Sequence, residues 1–173
     1  MIRARVAFIG LQGSGKTTAT EAFGNYLGDY IHFKFAQPIY DVLDAVKKPK
    51  HRLFMQQFSD LAKEHFGINI FNEIAEKKLE EYPKDAAVIC DDCRFPFEVE
   101  LLKKYNFTLV YVDSPEDLRK ERLGDLFRNP NHNSEASVES LKKHCDIILD
   151  GSTHIDIFRN EVIGALVEHL NLY

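Results

Sequence analysis

Only three cysteines, Cys90, Cys93 and Cys145, occur in the 173 residues. An odd and low count excludes a disulfide framework and fits a reducing compartment. Cys90 and Cys93 do have the spacing of a redox or zinc pair, with His144 and Cys145 as the nearby ligands that could complete a zinc set. Structural zinc sites show two clear ligand pairs, so the reading is of buried or half-buried free thiols.

Long apolar runs are also missing. Nothing approaches the roughly 20 residues of a membrane span. The opening "MIRARVAFIGL" has the basic start and apolar run of a secretory signal, but Gly10, Gln12 and Gly13 interrupt the run. No small-residue cleavage site follows. The expected location is the cytoplasm, a host's cytoplasm if the source is viral, with no membrane partner.

A basic excess is absent too, since the formal net charge is -5. That disfavours a sequence-blind hold on nucleic acid, which needs a basic surface. A local basic cleft stays open as an alternative, and with it DNA as an acceptor. There is no internal repeat, low-complexity tract or linker. With 45% hydrophobic and 28% charged residues, the composition is that of an ordinary globular protein. We expect one domain over 1–173.

What is present is an alternation of strand and helix signals. The apolar run Val6 to Ile9 ends at Gly10 and predicts a buried strand, followed by a helix from Lys16 to Leu27. Further strands are expected at 31–35, 86–90, 107–113 and 147–149. Further helices are expected at 38–46, 52–65, 71–82, 96–105, from 114 onward, shortly before 144, and at 155–170. Pro38 and Pro96 sit at first helical turns, and Gly67 ends one helix. The pattern predicts an α/β protein: three layers, with a five-stranded, mostly parallel sheet flanked by helices. Ligands of such sheets lie beyond the carboxyl ends of the strands, where Lys16, Asp92 and Asp113 fall.

The most specific motif is "GLQGSGKTT", residues 10–18, which meets G-x-x-x-x-G-K-[ST] through Gly10, Gly15, Lys16 and Thr17. Glycines let the backbone turn its amides toward phosphate oxygens, and the following helix aims its positive end at the same anion. The candidate ATP-binding set is Gly10, Gln12, Gly13, Ser14, Gly15, Lys16, Thr17 and Thr18. Lys16 adds a mobile cation for the β- and γ-phosphates, and the Thr17 hydroxyl suits Mg²⁺. Four fixed positions match by chance in roughly one average chain in a hundred. A strand before and a helix after make chance a poor account here.

The second stretch is "VICDDCRFPFE", 88–98. Acids directly after a buried strand are costly without a cation or donors. Asp92 is the candidate to hold the metal, directly or through water, or to take the acceptor's proton. Asp91 alternates to the other side of the extended backbone. On this reading Asp92→Asn costs more rate than Asp91→Asn. Arg94 suits a pair of phosphate oxygens; the structural alternative is an ion pair with Glu98 or Asp92. The third stretch, "DLRKERLGDLFRN" at 117–129, carries Arg119 and Arg122 on one helical face, with Lys120 and Arg128 beside them. Such arginines could close over a transferring phosphoryl group. A solvated charged helix, laced by Glu116, Glu121 and Asp125, is the plainer alternative.

Taken together the chain resembles the phage-type deoxynucleoside monophosphate kinases, within the P-loop nucleoside monophosphate kinase superfamily. The matching pieces run nearly end to end. They are "GLQGSGKTT", "FAQPIYDVLDA" (35–45), "FMQQFSDLAKEHFG" (54–67), "DDCRFPFEVELLKK" (91–104), "NSEAS" (133–137) and "CDIILDGS" (145–152). The resemblance implies a P-loop kinase fold, with ATP and Mg²⁺ as cofactors and a small nucleotide as substrate. It implies an acceptor-binding region near 35–82 that includes Phe35, Ala36, Pro38 and Gln57. Lys16, Asp92 and Arg94 would lie at the reaction centre, Arg94 also touching the acceptor. Arg119 and Arg122 would come from a lid near 115–137, and Gly151 would sit near the donor base. One departure is that Ser59-Asp60 and Lys63 stand where relatives often carry Gly-Thr and a later arginine.

The expected reaction is transfer of the ATP γ-phosphate to a (deoxy)nucleoside monophosphate. Alternatives are a kinase acting on a modified base in DNA, a dephospho-coenzyme A kinase-like enzyme, and a regulatory ATPase. Phe33, Phe35 and Tyr40 could stack a base, yet the first two could equally be core. The Phe54 and Phe58 face of the 52–65 helix could be core or could pair subunits, so monomer and homodimer both stay open.

Overall fold

The structure, a computed structural model, describes residues 4–127 and 137–173. Five strands form one sheet: β1 (Arg5–Ile9), β2 (Ile31–Phe33), β3 (Val88–Cys90), β4 (Thr108–Asp113) and β5 (Ile147–Asp150). Their order is β2-β3-β1-β4-β5, and all four pairings are parallel. Parallel neighbours need crossovers, and the crossovers put helices on both faces. Hence β1 is a continuous apolar run, buried on both sides from Val6 to Ile9.

Strand side chains alternate and so feed two cores. Ala7, Ile9, Phe33, Cys90, Leu109 and Tyr111 face one side. There they meet α4 (Ile70–Glu81) through Ala75 and Leu79, and α5 (Pro96–Lys104) through Val99 and Leu102. Val6, Phe8, Ile89, Val110 and Val112 face the other. There α1 (Lys16–Leu27) supplies Ala19 and Phe23, and the last helix, α7 (Ile155–Leu170), supplies Phe158, Val162 and Leu166 at four-residue spacing. The three layers expected from the sequence are all there.

Two connections differ from the sequence expectation. The second strand stops at Phe33 rather than 35, because the amides of Phe35 and Ala36 turn to a carboxylate instead of the sheet. The segment Val138–His144 is a 3₁₀ helix, held by Val138 and Leu141 in the core. Between β2 and β3 lie α2 (Gln37–Ala45) and α3 (Arg52–Phe66) as well as α4. No residue of α3 is buried, and Leu61 and Phe66 are 55% and 72% exposed, so its apolar face is not core.

Cys90 and Cys93 are buried free thiols, and burial pushes both well up; Cys145, half-buried, is pushed up to about 12. Among the described residues no helix is long and apolar enough to cross a membrane.

Candidate active site

The loop from Gly10 to Gly15 joins β1 to α1 at the carboxyl edge of the sheet. Gly15, the residue before α1, has φ 109°, a backbone region that disfavours side chains. No side chain caps α1 there and no acidic residue lies in its first turn. The start of a 12-residue helix is thus left without an internal partner, an arrangement that suits an anion. Ser14 is 1% exposed and its Oγ lacks a hydrogen-bond partner. An orphaned buried hydroxyl costs about 1–3 kcal/mol, and a phosphate oxygen would satisfy it. Lys16 Nζ donates to the carbonyls of Gly10 (2.7 Å) and Leu11 (2.9 Å), folded over the same loop. Thr17 is exposed and Thr18 half-buried in the first turn. These features fit a nucleoside triphosphate with Mg²⁺ at Thr17.

The loop's carbonyls are held from outside. Helix α6 (Glu116–Leu123) begins after Pro115 and stops where Gly124 takes φ 49°. A 3₁₀ turn over Gly124–Leu126 follows it; Arg128 and the rest of 128–136 lie outside the described residues. Arg119 is 8% exposed and donates to Ser114 O (3.2 Å) and Gln12 O (3.3 Å). Arg122 donates to Gly151 O (2.7 Å), Gly13 O (3.3 Å) and Ser14 O (3.4 Å). The Ser114 hydroxyl also donates to Ser14 O (2.9 Å), and Gln12 Nε2 donates to Leu126 O (2.8 Å). The two arginines were expected to reach across the reacting phosphates. In this structure their guanidinium groups instead brace the outer side of the loop, because α6 packs against it.

Gly151 completes this brace. A Cβ there would run into Ser114 Oγ and Ser14 O. Gly151→Ala is expected to raise the KM for ATP about tenfold or more while changing acceptor KM little; overpacking of this kind costs about 1–3 kcal/mol. Steady-state kinetics with each substrate varied in turn, beside a thermal melt, check this.

The acidic pair divides. Continuing the alternation of β3, Asp92 follows Cys90 toward the α5 face and Asp91 follows Ile89 toward the α1 face. Asp92 accepts from Phe35 N (3.0 Å) and Ala36 N (2.9 Å), one bond to each oxygen. Burial pushes its carboxyl up, against the pull of those two amides. Its oxygens hold the β2–α2 turn. Asp91 lies 3.0 Å from His32 Nε2 and 3.5 Å from Lys34 Nζ. Desolvation alone would raise Asp91, but the His32 hydrogen bond and the charges of Lys34, His32 and Lys16 bring it below the usual carboxylate range. Among these charges Lys16 contributes least. Asp113, the other acid at a strand end, is taken by Lys142 Nζ at 2.6 Å.

Arg94 is half-buried in the turn after β3. Its N–H donates to Glu98 Oε2 (2.6 Å), and its carbonyl accepts from Ser137 Oγ (2.7 Å). Glu98 also takes Phe95 N (3.1 Å) and is 5% exposed, and burial pushes its carboxyl up to about 8. The sequence reading gave Glu98 no role at the site. The available signal is a glutamate three residues after the residue preceding a helix, with Pro96 between, which is the spacing of a capping box.

On the acceptor side, Phe33 and Phe35 are 2% and 4% exposed, their rings edge to face at 5.2 Å. They are core, which answers the question the sequence left open. Tyr40 is half-buried, with Lys34 Nζ 5.4 Å and Lys50 Nζ 5.3 Å from its ring centre. Ala36 and Pro38 are half-buried beside it in the chain, and Gln57 is exposed on α3. Lys63 lies 4.3 Å over the Phe95 ring.

A five-stranded parallel sheet ordered 2-3-1-4-5, with a phosphate loop between its first strand and helix, is the fold of the P-loop kinases. Solved structures match nearly end to end. A shikimate kinase from Aquifex aeolicus is 18% identical at TM-score 0.59, covering 95% of this chain and 97% of that one. A gluconokinase from Sinorhizobium meliloti 1021 is 14% identical at TM-score 0.61, covering 99% and 97%. A shikimate kinase from Acinetobacter baumannii, in complex with shikimate, is 15% identical at TM-score 0.58, covering 98% and 94%. Identities this low carry the fold alone. No family model matches the sequence, and no curated protein does.

Proposed function

We propose that the protein transfers the γ-phosphate of ATP to a (deoxy)nucleoside monophosphate, giving the diphosphate. The observation that supports this acceptor is the rim formed by the turn after β2 and the start of α2. There an accessible aromatic ring, Tyr40, has two ammonium groups against it, and Lys34 links it to Asp91. A planar base and an anionic phosphate are the ligand features that such a ring and such cations recognise.

The loop amides, the Ser14 hydroxyl and the start of α1 bind the donor phosphates. Lys16 exchanges the carbonyls of Gly10 and Leu11 for phosphate oxygens. Mg²⁺, when bound, neutralises charge developing on the phosphates; Thr17 and Asp91 would hold it, Asp91 through water. Asp91 also holds Lys34, whose ammonium orients the acceptor phosphate that attacks. Arg94 approaches the transferring group from the β3–α5 turn. Asp92 keeps the Phe35–Ala36 turn in place beside the acceptor. Arg119, Arg122 and Gly151 keep the loop open to the donor.

The likeness to shikimate kinase and gluconokinase supports a second reading, a small hydroxylated acid as acceptor. A panel of acceptors with ATP and Mg²⁺, followed by ADP formation, separates the two. ADP is expected only with nucleoside monophosphates. Tyr40→Ala is expected to raise the acceptor KM about tenfold, the loss of one stacked base being worth about 1–3 kcal/mol, with the ATP KM unchanged. ADP formed with shikimate or gluconate instead supports the second reading. ADP formed with hydroxymethylated DNA or dephospho-coenzyme A names those acceptors, and ADP without any acceptor makes the protein an ATPase.

A further inference from the structure

We infer that Glu98 is a positioning residue: through the main-chain N–H groups of Arg94 and Phe95 it sets the turn from which the Arg94 guanidinium reaches the transferring phosphoryl group. This rests on the role given to Arg94 above.

The geometry is specific. A single oxygen, Glu98 Oε2, accepts from two consecutive amides at 2.6 and 3.1 Å. Two bonds to adjacent peptide units restrain both peptide planes. The far side of Arg94 is held as well, because its carbonyl accepts from Ser137 Oγ at 2.7 Å. Ser137 is the first described residue after Phe127. Two residues before Arg94, Asp92 is bound to the amides of Phe35 and Ala36. The segment 92–95 is therefore tied to the acceptor-side turn, to α5 and to Ser137 at once.

A helix cap alone does not call for this much. Capping is worth about 1 kcal/mol and needs only the bond to Phe95 N, not the second to Arg94 N. Glu98 is 5% exposed, and removing a carboxyl group from water is costly. The charged groups around it are Asp92 on its own segment and Lys63 from α3, itself near Asp60. Lys63 also lies over the Phe95 ring. Through Lys63 the exposed α3, part of the acceptor region, touches the turn that carries Arg94.

The experiment is a kinetic cycle on the full chain, with kcat, both KM values and thermal melts for each variant. Glu98→Ala is expected to lower kcat about a hundredfold, the usual cost of a catalytic group misplaced by about 1 Å, with ATP KM nearly unchanged. Glu98→Gln, whose amide oxygen can accept the same two N–H groups, is expected to recover most of that loss. In an Arg94→Ala background Glu98→Ala is expected to cost little more. A lowered melting temperature with unchanged kcat, or losses that multiply in full in the double variant, overturns the inference. If Glu98→Ala does not fold, Ser137→Ala carries the test. It removes the other hold on Arg94, and kcat is expected to fall about tenfold, with the effect vanishing when Arg94 is alanine. Unchanged kcat in Ser137→Ala then overturns the inference. The wild-type acceptor panel is run first. If another acceptor is used, the nucleotide reading fails, and the cycle is run on that acceptor or, with none, on ATP hydrolysis.

Discussion

Lys16→Ala is expected to reduce phosphoryl transfer by at least about a thousandfold, roughly 4 kcal/mol of transition-state stabilisation. Lys16 Nζ rests on the carbonyls of Gly10 and Leu11, within six residues of it in the chain. These carbonyls are weak partners compared with a triphosphate, so the ammonium is poised to leave them. As charge spreads over the transferring group, a cation that follows it binds the transition state more tightly than the ground state. The fold should survive the change. The side chain is half-exposed, and the two cores on either side of the sheet do not include it. Transfer rate, ATP affinity and a thermal melt are the measurements. A folded Lys16→Ala protein that transfers phosphate at the wild-type rate would remove the basis for the donor site.

The second large effect separates the two adjacent acids. Asp91→Asn is expected to lower kcat about a hundredfold or more, with a small change in melting temperature. Asp91 is held below the usual carboxylate range by the His32 hydrogen bond and the Lys34 charge, so in the proposed mechanism it is the acid whose charge is available. Asp92→Asn should behave in the opposite way. Each Asp92 oxygen accepts a main-chain N–H, and an amide can replace only one of them without setting donor against donor. The cost is about 1–3 kcal/mol of stability, together with a raised acceptor KM as the Phe35–Ala36 turn loosens. Paired kinetics and melts on the two variants decide between them. A larger kcat loss in Asp92→Asn, with an unchanged melt, returns the acid's role to Asp92, where the sequence reading had put it.

The contrast between these acids shows how far the sequence reaches. Strand alternation is legible, so it is clear without coordinates that Asp91 and Asp92 face opposite ways. Which way is the useful one depends on what packs on each side. The amides that claim Asp92 lie 57 and 56 positions away in the chain. Phe33 and Phe35 illustrate the same limit, since an aromatic pair at the end of a strand suits a base or a core equally until α4 and α5 arrive to cover it. Arg119 and Arg122 were legible as a same-face pair on a helix. Their engagement with loop carbonyls 107 to 109 positions away was not.

The amino-acid sequence by itself determined the alternating strands and helices, the resulting parallel sheet, and the phosphate loop. Each is written in contiguous residues whose periodicity, glycines and helix start act locally. Only the tertiary structure decided which acid the turn amides claim, what the arginines hold, and which main-chain N–H groups the buried glutamate takes. Those outcomes depend on main-chain N–H and C=O groups, which every residue carries alike and which only the folded backbone brings within hydrogen-bond reach.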